Sequence, residues 1–335
     1  MREEALFAGK PCPCFRIPAL VQTTPGTLVL FAEARFDSSE CSPLNATKPW
    51  HPDPKAPTLL VSVTSSESGA TWSNVSTVVK NCGDGQTCNP HAVFDAQRKQ
   101  LVVVFSMLSG GSKQIAVTRS SDVTGAKGWS VPTLANTIGV PGAWTEGTMP
   151  GPGAALQVGG GRLLFCSHGS YSSSNVVFFS DDSGLTFNVS ASTLSPKQSV
   201  LQHMNECSFA KLSNGSIIQL LRNFGGCAEH EDPKVCDPYH NKRCADGGMC
   251  KAYSLSSDQG STWTAPQYLA GVRSGACEAA GVVVVRKTIV FAPFLCENDQ
   301  FIKTGSGQTQ EKLRKNAFSA GWHALHQRRR LRYKS

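Results

Sequence analysis

The apolar positions of this chain fall in short runs of four to eight residues, cut by Gly, Asn and Pro. Runs of that length bounded by turn residues predict strands rather than helices. Five segments pair two such runs across a turn: FRIPALVQTTPGTLVLFAEARF, HAVFDAQRKQLVVVFSM, GAALQVGGGRLLFCSH, SFAKLSNGSIIQLLRN and GVVVVRKTIVFAPF. Each predicts a strand, a turn and a strongly apolar second strand. The longest apolar stretch, residues 281–285 with 288–295, is broken by Arg286 and Lys287 and does not predict a membrane-spanning helix.

A polar pattern, Ser-X-Asp-X-Gly-X-Thr-Trp, recurs between the apolar segments. It reads SSESGATW at 65–72, with Glu67 in the Asp place, SDDSGLTF at 180–187 and SSDQGSTW at 256–263. A looser copy, SSDVTGAKGW, spans 120–129. A short acidic side chain can accept hydrogen bonds from its own turn, and Gly supplies a positive φ. The Thr-Trp that follows starts a strand and buries a ring. Alternating these turns with the apolar hairpins predicts four strands per repeat, the blade of a β-propeller. Five apolar hairpins accompany four turns, because the last hairpin runs into a basic segment instead of another turn.

Composition agrees with a globular chain: of 335 residues, 40% are hydrophobic. The net charge of +8 changes meaning once it is located. Residues 301–335 hold nine Lys or Arg and one acidic residue, while the other 300 balance 23 basic against 23 acidic side chains. The body is therefore not a basic nucleic-acid binder. Two domains are expected: 1–300 as the propeller, and 301–335 as a basic tail of foreign composition.

Thirteen cysteines and four Asn-X-Ser/Thr sequons, at Asn45, Asn74, Asn188 and Asn214, favour a secreted or lysosomal compartment over the cytosol. The opening MREEALFAGKPC predicts no signal segment, which keeps a cytoplasmic chain open as the alternative. Cys227, Cys236, Cys244 and Cys250, with His230 and His240 among them, are open to disulfides or zinc. The lack of a Cys-X-X-Cys spacing favours disulfides.

Several of these residues together resemble the sialidases, also called neuraminidases or exo-α-sialidases. The repeated turn resembles that family's Asp box. Phe15-Arg16-Ile17-Pro18 matches its Phe/Tyr-Arg-Ile-Pro motif, and FAEARF its Ala-Glu-X-Arg segment. NECSFAKLSNGSIIQLLRN resembles the segment carrying its catalytic Glu and second Arg. The resemblance runs from about Cys14 to about Leu295 and implies a six-bladed β-propeller, of which about five blades are recognisable.

The resemblance also implies roles. Arg16 and Arg222 would bind the sialic acid carboxylate, and Arg35 would lie near the acid and that carboxylate. Glu206 would activate a tyrosine nucleophile, and Asp53 would be the acid/base, with Asp37 as runner-up. His168 and Tyr171 would contact the glycerol or acyl groups of the sugar. The chemistry suits these residue types: guanidinium groups bind a carboxylate bidentately. A neutral Tyr also escapes the repulsion that a carboxylate nucleophile would meet.

After Leu295 the resemblance ends, and neither Arg314 nor Tyr333 falls in a matching segment, so no nucleophile is assigned. The tail reads either as genuine or as the product of a truncated or wrongly joined gene. The implied activity is that of a retaining glycoside hydrolase releasing terminal sialic acids from glycoproteins, oligosaccharides or gangliosides. Alternatives are a non-catalytic sialic-acid-binding propeller and a secreted protein-interaction propeller. No cofactor motif is found, and no Asp/Asn-rich loop with calcium-ligand spacing.

Overall fold

The computed structural model describes residues 14–35, 57–84, 87–135, 139, 148–169, 175–193, 204–223, 250–273, 282–285 and 288–291. All lie in the first of two compact units, residues 1–296. The second unit, 297–335, holds the whole basic tail with Arg314 and Tyr333, and lies outside the described residues. So do Asp37, Asn45, Asp53, Tyr171 and the cysteine-rich residues 227–249.

The described residues are all-β. The first sheet is an antiparallel meander of β1 (Cys14–Thr24), β2 (Thr27–Arg35), β3 (Thr58–Ser65) and β4 (Ser76–Val79). The second contains β5 (His91–Asp95), β6 (Gln100–Ser109), β7 (Ser112–Ser120) and β8 (Thr133–Leu134). Next in the chain come β9 (Thr148–Pro150) and β10 (Gly153–Ala154). β10 joins β5 in parallel, whereas β9 joins the third sheet through β12. That sheet is β11 (Leu156–Gln157), β12 (Leu163–Gly169), β13 (Asn175–Ser180) and β14 (Asn188–Val189). The fourth is β15 (Met204–Lys211), β16 (Ile217–Asn223), β17 (Cys250–Ser256) and β18 (Gln267–Arg273). A hairpin of β19 (Val282–Val285) and β20 (Thr288–Phe291) follows.

The continuous apolar runs have a simple cause: middle strands are covered on both faces. On β6, Leu101, Val103 and Phe105 pack toward Val29, Phe31 and Leu60 of the first sheet. The alternate residues Val102 and Val104 pack toward Phe165 and Phe178 of the third. β12 repeats the arrangement, with Leu163 and Phe165 on one side and Leu164 and Cys166 on the other, against Phe209 and Leu221. A strand's period of two thus serves two cores at once.

The repeated turns join these layers. In the third sheet, Asp182 Oδ1 accepts the N–H groups of Leu185 at 3.1 Å and Thr186 at 2.8 Å, while Ser180 Oγ accepts that of Gly184 at 2.7 Å. Asp258 and Ser256 make the same bonds to Thr262 and Gly260 in the fourth sheet. Burial pushes the Asp182 and Asp258 carboxyls up, but the converging hydrogen bonds outweigh it and hold both below the usual range.

The last three turns also reach the preceding sheet. Ser62 Oγ donates to Gly125 O at 2.7 Å, Arg119 Nη1 to Gly184 O at 2.6 Å and Ser190 Oγ to Gly260 O at 2.6 Å. Gly260 has φ +84°, and a Cβ there would lie 2.5 Å from Leu164. Glycine is required twice over: for the turn and for the close approach of the layers. Disulfides join Cys82 to Cys88 and Cys166 to Cys207. Asn74, Asn188 and Asn214 are exposed.

Candidate active site

Two strands carry an irregularity at the residue singled out by sequence. On β1 the register with β2 shifts between Arg16 and Ala19, and Ile17 takes φ +54°, a left-handed value that a β-branched side chain resists. On β15 the register with β16 shifts between Met204 and Cys207, bracketing Glu206. Bulges of this kind re-aim side chains at the margins of sheets.

The second bulge is held by buried amides. Gln219 Nε2 donates to Asn175 Oδ1 at 2.8 Å, and Asn175 Nδ2 donates to Asn205 O at 2.6 Å. The Glu206 N–H donates to Asn205 Oδ1 at 2.9 Å. This chain of amides crosses from β16 through β13 to β15. It fixes the backbone from which the Glu206 side chain departs.

Across the bulge, Arg222 Nη1 donates to Glu206 Oε2 at 3.0 Å, with the two side chains 13% and 12% exposed. Lys251, on β17, is buried, and the pairing of Leu221 with Ala252 sets it beside Arg222. Burial raises the Glu206 carboxyl above its ordinary value, against the opposing pull of Arg222, then Lys251, then Arg16. Arg16 comes from the first sheet and Glu206 from the fourth, so residues distant in sequence converge here. Among the described residues one carboxylate meets three cations, a grouping that suits an anionic ligand.

A second charged group lies in the first sheet. Arg35, at the end of β2, is 1% exposed and Glu33 0%; Arg35 Nε donates to Glu33 Oε2 at 2.5 Å. Glu33 Oε1 accepts the Asn89 N–H. Lys113 Nζ donates to Thr87 Oγ1 at 3.2 Å. Burial lowers the Lys113 ammonium below its usual value; Glu33 opposes the shift and Arg35 adds to it.

Of the residues expected from sequence, Glu206, Arg222 and Arg16 are brought together and Arg35 is sealed with Glu33. His168 is buried on β12, paired with Asn175 and Met149 in register. Asp53 and Tyr171 lie outside the described residues. Lys251, Glu33 and the Gln219–Asn175–Asn205 chain escaped the sequence reading. The available signal was a Lys one residue into the strand that leads to the fourth turn motif.

Three of the solved structures to which the chain is similar illustrate the match. They are a Hadza microbial sialidase (TM-score 0.55, 18% identity), the NanB sialidase from Streptococcus pneumoniae (0.57, 15%) and the intramolecular trans-sialidase from Ruminococcus gnavus (0.56, 13%). The fold is sialidase-like. The matches cover 81%, 84% and 80% of this chain, and 50%, 56% and 73% of those chains in the same order. The chain thus spans little more than half the length of the first two. No protein-family model matches it.

Proposed function

We propose that the protein is an exo-α-sialidase, a retaining glycoside hydrolase that releases terminal sialic acids from glycoproteins, oligosaccharides or gangliosides. The observation that carries this reading is the meeting of Arg222, Lys251 and Arg16 around Glu206. A sialoside bears a carboxylate on its anomeric carbon, and Arg16 and Arg222 bind that group. Their charge persists at any working pH, so binding survives changes that would neutralise a histidine.

Glu206 is the base. In the free enzyme it is held by Arg222, and a substrate carboxylate shares that guanidinium and releases Glu206 to take a proton from the nucleophilic hydroxyl. Its partial burial raises its proton affinity toward the range in which a base works near neutrality. Asp53 protonates the leaving oxygen and then activates water. Attack by a neutral nucleophile followed by water gives retention of configuration. Arg35, paired with Glu33 at the end of β2, is assigned a place near the acid and the substrate carboxylate. His168 and Tyr171 are assigned to contact with the glycerol or acyl groups of the sugar.

Hydrolysis of a fluorogenic α-sialoside tests the reading. Glu206→Gln should lower kcat about 10²- to 10⁴-fold, the usual worth of a general base, while sialoside binding persists. Activity unchanged in Glu206→Gln would contradict the assignment. Binding without turnover in the unaltered chain would support a sialic-acid-binding protein instead.

A further inference from the structure

His91, Cys166 and Cys207 bring one imidazole and two sulfurs to a point where three sheets meet. Their ligand atoms all lie within 4.8 Å of one another, and all three residues are buried. Cys166 is on β12, Cys207 on β15 and His91 on β5. His91 Nε2 is 3.8 Å from Cys166 Sγ. Two tetrahedral ligands at ordinary zinc bond lengths, about 2.3 Å for sulfur and about 2.0 Å for nitrogen, stand about 3.5 Å apart.

The opposite edge of the imidazole is also arranged. His91 Nδ1 is 3.2 Å from Gly153 O, so an Nδ1–H donated to that carbonyl leaves the Nε2 lone pair aimed at the sulfurs. Ligating histidines have this second contact as a rule. The ring fits because residue 151 is glycine: a Cβ there would lie 2.3 Å from His91 Nδ1. Gly151 also donates its N–H to Cys166 O at 2.8 Å and accepts the Cys207 N–H at 3.3 Å, so one residue seats all three groups. Phe165 and Phe209 flank the imidazole, with ring centroids 6.0 and 5.9 Å away.

We propose that His91, Cys166 and Cys207 form a binding site for a thiophilic divalent cation of the zinc class, open when the two sulfurs are in the dithiol form. The disulfide is the oxidised state of the same pair. A phosphine reductant cleaves the S–S bond by taking the oxygen of one water molecule to become its oxide, and the two hydrogens of that water pass to the sulfurs. Cation binding then releases two protons, one from each thiol. Two thiolates, a neutral imidazole and a divalent cation sum to zero charge, which the apolar surroundings tolerate. Cys207 directly follows Glu206, so either state ties the bulge that carries Glu206 to β12. This inference does not depend on the proposed hydrolysis.

Alkylation footprinting of the full-length chain tests it. The chain is reduced with a water-soluble phosphine under anaerobic conditions, treated with zinc chloride or with a chelator, and exposed to iodoacetamide before peptide mass mapping. Cys166 and Cys207 should react at least about tenfold more slowly with zinc than with chelator, because coordinated thiolates are held strongly. His91→Ala should erase that difference. Labelling of these two cysteines that is the same with zinc and with chelator, or full protection retained in His91→Ala, would overturn the proposal. The unaltered chain decides the matter even if the variant fails to fold.

Discussion

Glu33 with Arg35 and Glu206 with Arg222 are both carboxylate–guanidinium pairs, yet the molecule treats them differently. The first lies along one strand, closed to solvent, with its second carboxylate oxygen taken by the Asn89 N–H. The second spans two strands across a bulge, remains partly open, and has Lys251 and Arg16 acting on it besides. Removing charge from water is costly, and in the sealed pair the matched partner offsets that cost. Lys113 acts on the sealed pair as Lys251 and Arg16 act on the open one, so the difference lies in exposure. The comparison separates a pair closed into the fold from one open to a ligand.

The largest effect should come from breaking the sealed pair. Glu33→Gln removes a buried charge that pairs with Arg35, and stability should fall by about 3–5 kcal/mol in urea unfolding. The paired replacement Glu33→Leu with Arg35→Met should recover most of that loss. Equal losses from Glu33→Gln and Glu206→Gln would erase the distinction.

A more moderate effect is expected from Lys251→Met. Losing one cation raises the Glu206 carboxyl further above its ordinary value, since burial is then opposed by Arg222 and Arg16 without Lys251. If Glu206 acts as an ionised base, the acid limb of the kcat profile should move to higher pH. A profile that stays in place would remove Lys251 from the site.

The smallest effect concerns stability against pH. The folded Glu206 holds its proton more tightly than the unfolded chain does. Its contribution is therefore fully present below the unfolded value, about 4.3, and is lost as pH rises through the raised folded value. Glu206→Gln should flatten that part of the stability curve. Persistence of the slope would place its origin elsewhere.

Much of the architecture could be read from the chain because its causes are local. The hairpins announce themselves as apolar runs around turns, and Ser180, Asp182 and Gly184 close their turn within a few residues. Glu206 and Arg222 could be placed on paired strands for the same reason: a single hairpin joins them. What was not legible depends on pairing over long sequence separations, within one sheet and between sheets. Lys251 arrives from the next strand, 26 residues outside the described set separating it from Asn223 apart from Cys250. Asn175 reaches Gln219 and Asn205 from another sheet. Glu33, the Glu of the same Ala-Glu-X-Arg match as Arg35, was given no role, although it pairs with that arginine. The layer-to-layer bonds from Ser62, Arg119 and Ser190 were hidden likewise.

The central claim is that the open pair recognises a carboxylate on a sugar. It is tested most directly by calorimetric titration of the full-length chain with an α-sialoside and with its methyl ester, each repeated on Arg222→Met. Recognition of the carboxylate predicts that the ester binds about 10- to 100-fold more weakly than the acid, the worth of a charged hydrogen bond, and that Arg222→Met reduces acid binding to the ester's level. Equal affinity for acid and ester, or acid binding untouched by Arg222→Met, would contradict it.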